Sequence, residues 1–224
     1  MGSASDPAQD RRALLEDLRS RVLVIERGER IASQDRPVVP VSAPIDAALP
    51  DGGLALGGVH EILTEDVGAG TGFAAMLLAR LSGQVVWISQ EEDLGVHGLV
   101  QFGLQPEALL LVTPSRPEDG LWAMEEALRC PAIAGAVLVT GPTDMTTARR
   151  LQLAAEEGGV LGVLLCERRE AAGATAALTR WRVAPQREAP PCRPSWRLEL
   201  LRSRGGRPGA WDVQWDREAR ELRH

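Results

Sequence analysis

From residue 57 to residue 166, short unbroken apolar runs alternate with longer amphipathic ones, and few folds admit that pattern. The apolar runs are Val59–Leu63, Val85–Ser89 (VVWIS), Leu109–Thr113 (LLLVT), Ala136–Thr140 (AVLVT) and Val160–Cys166 (VLGVLLC). Between them lie helical stretches at Gly72–Leu81, Gly95–Phe102, Glu118–Arg129 and Thr146–Glu157. A strand that is apolar at every position has no face for water, so both of its faces must be covered. Alternating β and α then predicts a doubly wound, largely parallel sheet with helices on both sides and right-handed crossovers.

The flanks have other textures. Asp6–Glu29 reads as an amphipathic helix: Asp6 suits the N-cap, Pro7 the first turn, and Leu14, Leu18, Val22 and Ile25 form one apolar stripe. Ala32–Pro50 carries Pro37, Pro40, Pro44 and Pro50, has no helical period, and reads as an extended linker. Beyond Cys166, the segments Leu178–Pro185, Ser195–Arg204 and Ala210–Asp216 alternate polar and apolar residues. A period of two predicts half-exposed antiparallel strands, with a hairpin at Gly205–Gly209. The expected organisation is an N-terminal helix and linker over 1–50, a core over 51–216 and a charged, frayed tail over 217–224.

Gly57–Arg80 has the layout of a nucleotide-binding phosphate loop, namely strand, glycine-containing turn and helix. Such a loop needs a lysine that reaches the β- and γ-phosphates and a following Ser or Thr for magnesium. This chain of 224 residues contains no lysine, and all 25 of its basic residues are arginine. A planar guanidinium does not fit the space of a compact ammonium. The expectation is a loop without its main charge, no nucleotide cofactor and no ATPase activity.

Net charge is −6 at pH 7, which argues against indiscriminate nucleic-acid binding over the whole surface. Cys130, Cys166 and Cys192 follow no C-x-x-C spacing, and His60, His97 and His224 are scattered, so no metal site is expected. The polar N-terminus lacks the apolar stretch of a signal peptide, and no run is long enough to span a bilayer. Reduced thiols in a cytoplasmic protein with no membrane partner are the expectation.

Several segments together carry a family resemblance: LPDGGLALGGVHEIL, GTGFAAMLLARL, LWAMEEALRC, TTARRLQLAAEEGGVLGVLL, ATAALTRWRVAP and PSWRLELLRSRGGRPGAW. Over about 49–216 the chain resembles the ImuA family, RecA-like proteins of bacterial mutagenic-repair cassettes. The resemblance implies a RecA-like core. It also aligns three chemical elements with those of a RecA-type ATPase. At the loop, Thr64 and Ala69 stand at flanking glycine positions, Gly68 lies within the spacer, Gly70 replaces the lysine, and Thr71 alone matches. The strand that ends in a magnesium-holding aspartate in the parent ends here in Thr140. Glu91 falls at the catalytic carboxylate, although a glutamate beside Glu92 and Asp93 is more often part of a solvated, acidic turn. The site is therefore read as vestigial.

Candidate binding residues lie elsewhere. Arg180, Arg182, Arg197, Arg202, Arg204 and Arg207 concentrate near Trp181, Trp196, Trp211 and Trp215, and arginine with aromatics suits phosphate contact and base stacking. The other reading pairs arginines with Glu199, Asp212 and Asp216 over a tryptophan core. The segment Glu167–Ala177 lies where RecA has a DNA-binding loop, and it offers Arg168 and Arg169 between Glu167 and Glu170. Any single-stranded DNA binding is expected to be weak and salt-dependent. The stripe Leu14, Leu18, Val22 and Ile25 either docks on a partner or folds back on its own core.

What the family resemblance implies is a non-enzymatic accessory factor of error-prone translesion DNA synthesis in the SOS response to DNA damage. Its implied partners are ImuB, a polymerase-like protein, an error-prone replicative-type DNA polymerase, and RecA itself. The alternatives are a RecA-like ATPase with its charge supplied elsewhere, and a SulA-like inhibitor of cell division. ATP binding separates the first alternative, and cell filamentation on overexpression the second.

Overall fold

The computed structural model describes residues 36–90, 95–167, 173–186 and 193–224, and Pro37–His224 form one compact unit. The expected N-terminal helix, with Leu14, Leu18, Val22 and Ile25, lies outside the described residues, as do Glu91, Arg168 and Arg169. The strands are β1 (Val38–Val39), β2 (Leu54–Ala55), β3 (Gly58–Thr64), β4 (Gln84–Ile88), β5 (Leu109–Val112) and β6 (Ile133–Thr140). They continue with β7 (Leu161–Glu167), β8 (Thr179–Pro185), β9 (Ser195–Ser203), β10 (Gly209–Asp216) and β11 (Glu221–Arg223). The helices are α1 (Ala43–Asp46), α2 (Val67–Leu78), α3 (Val96–Val100), α4 (Pro117–Arg129) and α5 (Met145–Gly158).

Among the described residues one nine-stranded sheet has the order β11-β10-β9-β8-β3-β7-β6-β4-β5. β8, β3, β7, β6, β4 and β5 pair in parallel. β9, β10 and β11 extend β8 as an antiparallel meander. Each parallel strand sends alternate residues to opposite faces. Ile62, Trp87, Val137 and Leu165 pack under α2 with Leu99 and Phe102, while Val59, Ile88, Leu138 and Leu164 pack under α4 and α5. The expected α/β architecture is the one observed.

Five details differ from the sequence reading, and the first is β5: as an edge strand it exposes Leu110 and Leu111, where both faces were expected to be covered. α2 begins at Val67, five residues before the expected Gly72, because Asp66 caps it: its side chain accepts a hydrogen bond from Ala69 N. Residues 37–50 are core rather than linker. Val39, Val41, Ile45 and Leu49 are buried in the main apolar cluster, and β1 pairs with β2. Proline removes a donor but not an acceptor. Thus Pro37 O accepts from Leu56 N, while Arg80 donates to Pro40 O and Val41 O.

β8 is parallel to β3, although its alternation reads as a strand of the antiparallel meander; it is the junction between the two sheet types. The tail is not frayed: Asp216 Oδ1 accepts from Glu218 N and Ala219 N, each at 3.0 Å, and turns the chain into β11, where Leu222 is buried.

Candidate functional site

The carboxyl ends of β3, β7, β6 and β4 are where an open α/β sheet offers a crevice to ligands. Thr64 ends β3, Thr140 ends β6, and Glu167 ends β7, in register with Thr64; the hydroxyls of Thr64 and Thr140 belong to strands separated by β7. The structure thus brings Thr64, Gly68, Gly70, Thr71 and Thr140 to one end of the sheet.

The local geometry there is closed. Between Thr64 and Val67 stand two residues, Glu65 and Asp66. Thr64 Oγ1 accepts from Asp66 N at 3.2 Å and lies 2.7 Å from Asp66 O and 3.0 Å from Val183 O, so its single proton is shared between two carbonyls. Asp66 Oδ1 accepts from Ala69 N at 2.8 Å. A carboxylate therefore occupies the helix N-terminus, where exposed N–H groups and the dipole would otherwise attract phosphate.

Gly70, at the position of the family parent's lysine, is a packing glycine. A Cβ there would stand 2.6 Å from Thr64 Cγ2 and 2.8 Å from Leu165 Cδ1. Thr71 is half-buried inside α2, and Gly68 is exposed in its first turn. Glu65, Asp66 and Glu167 add carboxylates at this end of the sheet.

Of the candidate DNA-binding arginines among the described residues, Arg180, Arg182 and Arg202 have hydrogen-bond partners within the fold. Arg180 is 8% exposed; its Nε donates to Glu61 Oε2 at 2.5 Å and Nη1 to Gly173 O at 2.9 Å. It is a core cation and not a surface ligand, a correction to the reading of β8 as half-exposed. Arg182 Nη1 donates to Glu199 Oε2 at 2.7 Å, and Arg202 donates to Thr175 O. Arg197–Asp212 at 2.7 Å and Arg223–Asp216 at 2.5 Å complete a ladder of opposite charges across the meander. Arg204 and Arg207 are exposed at the β9–β10 turn.

The tryptophans form core rather than stacking platforms. Trp211, Trp181, Phe73, Trp196, Phe102 and Trp215 are linked by successive ring-centroid distances of 6.2, 5.8, 6.2, 5.6 and 6.0 Å. Their faces are occupied by one another. The salt-bridged meander over a tryptophan core, one of the two readings of this region, describes the geometry.

The chain is 37% identical over 203 residues to Protein ImuA of Caulobacter vibrioides strain NA1000 / CB15N, covering 80% of this chain and 83% of the relative. Protein ImuA of Caulobacter vibrioides strain ATCC 19089 / CIP 103742 / CB 15 matches with the same identity and coverage. The chain belongs to the ImuA family. No family model matches the chain. Among the described residues of this ImuA-family chain, no helix is long and apolar enough to cross a membrane, and no three His, Cys, Asp or Glu side chains converge as a metal site requires.

Sequence reasoning missed the polar pairs between β3 and β8. Their signal was present: His60 and Glu61 interrupt an otherwise apolar strand, and a charge in such a run requires a buried partner. His60 faces Thr179 across the pairing, and Glu61 faces Arg180. His60 Nδ1 lies 2.8 Å from Thr179 Oγ1 and Nε2 3.0 Å from Ala55 O; Trp181 Nε1 donates to the same Thr179 oxygen at 2.8 Å. One assignment satisfies all four groups: Trp181 donates to Thr179, Thr179 to Nδ1, and Nε2–H to Ala55 O.

That assignment is the neutral imidazole, and burial pushes the pKa of His60 down from 6.5 to about 4. Between those values the unfolded chain binds a proton that the folded one does not, so stability falls as pH drops through this window. The gap corresponds to about 3 kcal/mol, fully present above pH 6.5 and lost by about pH 4. Urea denaturation at pH 7 and pH 4.5 is expected to show a loss that His60→Gln largely removes. An equal loss in both proteins excludes His60 as its source.

Proposed function

We propose that this ImuA-family chain is a non-enzymatic, RecA-like accessory factor of error-prone translesion DNA synthesis in the SOS response, acting as a protein-binding scaffold. The observation that carries the reading is the closed N-terminus of α2. The Asp66 carboxylate sits on the helix donors, and Gly70 packs against Thr64 and Leu165 where a phosphate-reaching lysine would start. Anion binding at this helix end needs exposed N–H groups and a favourable dipole, and a carboxylate opposes a phosphate at both. Phosphoryl transfer depends almost wholly on positioning and charge stabilisation. A family chain without those groups has its surfaces left for function.

The partners proposed are ImuB, an error-prone replicative-type DNA polymerase and RecA, with the stripe Leu14, Leu18, Val22 and Ile25 as the docking arm. Single-stranded DNA is at most a weak ligand, through Arg202, Arg204 and Arg207 together with Arg168 and Arg169. With Arg180 paired to Glu61 and Arg182 to Glu199, few phosphates can be neutralised by this acidic chain.

The test uses the full chain purified alone and with ImuB. Expected results are no magnesium-dependent ATP turnover above background, co-elution with ImuB, and loss of co-elution in Leu14→Asp/Leu18→Asp with an unchanged melting transition. Turnover that disappears in Thr71→Ala overturns the non-enzymatic reading. Failure of the unmodified chain to co-elute with ImuB overturns the scaffold reading.

A further inference from the structure

Trp122 is used differently from the other tryptophans. It is 65% exposed on α4, the most exposed large apolar side chain among the described residues, while Trp87, Trp181, Trp196 and Trp215 are buried. On the neighbouring helix α5, Leu153 is 56% exposed. Ion pairs lock the two helices together: Arg150 Nε lies 2.7 Å from Glu125 Oε2, and Arg129 Nε lies 3.4 Å from Glu157 Oε2. From the first pair to the second, both helices advance toward their C-termini, so they run in the same direction.

Trp122 stands one turn before Glu125 and Leu153 one turn after Arg150. The first ion pair puts the two apolar side chains six residues apart along the axes and the second puts them three apart, an offset of about 4.5–9 Å, or one to two helical turns. That spacing suits anchors one to two turns apart, drawn from positions i, i+4 and i+7, on a third helix laid across the pair.

The two helices together carry an acidic excess. The segments 116–129 and 144–158 carry seven carboxylates against four arginines. Arg129 alone lies 2.8, 3.9 and 3.4 Å from the carboxylates of Glu125, Glu126 and Glu157. Glu118 and Glu126 flank Trp122 at four residues on either side, so an incoming anchor meets carboxylates on both sides. Arg149 and Arg150 stand one turn before Leu153, so the acidic rim is that of Trp122, where it selects a cationic partner and repels nucleic acid and anionic lipid.

We propose that the Trp122–Leu153 face of α4 and α5 is a docking surface for an amphipathic protein helix whose apolar stripe is flanked by Arg or Lys. This goes beyond the scaffold reading, which assigns no surface of the core to a partner. A solvated tryptophan is the residue type most enriched among interface hot spots, because its burial removes a large apolar area from water at little cost in side-chain freedom.

The test is selection of a displayed library of 16-residue helices on the full chain. The library fixes leucine at positions i, i+4 and i+7 and randomises the flanks. Expected binders are enriched in Arg and Lys, and a synthetic copy loses at least tenfold in Kd against Trp122→Ala, whose melting curve is unchanged. Recovery of no binders, of acidic or neutral ones, or of binders indifferent to Trp122→Ala overturns the proposal. Fluorescence binding to single-stranded oligonucleotide, to anionic vesicles and to the chain itself completes the set. A loss in Trp122→Ala confined to any of those three moves the surface to that partner and overturns a cationic helix.

Discussion

Replacing Glu61 with alanine is expected to cost about 3–5 kcal/mol, the range for removing one partner of a buried ion pair. Arg180 Nε and Glu61 Oε2 are 2.5 Å apart, and both side chains are less than a tenth exposed. Without the carboxylate the guanidinium keeps Gly173 O as an acceptor at 2.9 Å but has no counter-charge in a low-dielectric interior. Glu61→Gln retains an acceptor and should lose less. Replacing both residues, as Glu61→Leu with Arg180→Met, should recover part of the loss, because no buried charge is then left alone. Urea denaturation of the four proteins reads this directly. A cost below about 1 kcal/mol for Glu61→Ala means that water reaches Arg180 and that it is available as a surface cation after all.

The pair also explains which arginines were legible. In Leu178–Pro185 the alternation assigns Trp181 and Val183 to one face and Arg180 and Arg182 to the other, and the structure keeps that division. Alternation does not say what covers the second face. Residues 173–178 lie there, fastened by Arg180 to Gly173 O and by Arg202 to Thr175 O. Coverage by a neighbouring loop is a tertiary fact with no local period, so a half-exposed strand was the reading that periodicity allowed.

The parallel strands were legible for the opposite reason. In β3, β4, β6 and β7 an unbroken apolar run reports burial on both faces, and these strands fall within three residues of the expected runs; β5, at the sheet edge, has an equally apolar run but exposes Leu110 and Leu111. The prolines of 37–50 hid a core segment, because proline interrupts helical and strand periods while leaving Val39, Val41, Ile45 and Leu49 free to point inward. In the phosphate-loop segment the glycines at 68 and 70 read as a turn, and Gly72 as the start of the helix. Glycine for flexibility and glycine for close packing look alike in sequence. Gly70 and Gly72 are of the second kind, since a Cβ at Gly72 would stand 2.7 Å from Phe102 and 3.0 Å from Trp196.

Gly70→Lys therefore supplies the missing lysine without creating a nucleotide site, and is expected to destabilise the chain by more than about 3 kcal/mol. Two costs add. The first methylene meets Thr64 Cγ2 at 2.6 Å and Leu165 Cδ1 at 2.8 Å, and overpacking of this kind costs roughly 1–3 kcal/mol. The ammonium must then either stay in the apolar junction of α2 with β3 and β7 or pull the helix off the sheet to reach water. Gly70→Ala separates the two costs. In an open helix the change from glycine to alanine stabilises by about 0.5–1 kcal/mol, so a net loss at residue 70 isolates the steric term. Melting curves and equilibrium binding of a fluorescent ATP analogue, measured on both variants, decide the matter. If Gly70→Ala raises stability, the junction has room, and glycine was retained there for approach to a ligand. If Gly70→Lys stays folded and gains magnesium-dependent nucleotide binding, the Asp66 cap is not a barrier to phosphate and the helix end is open to anions.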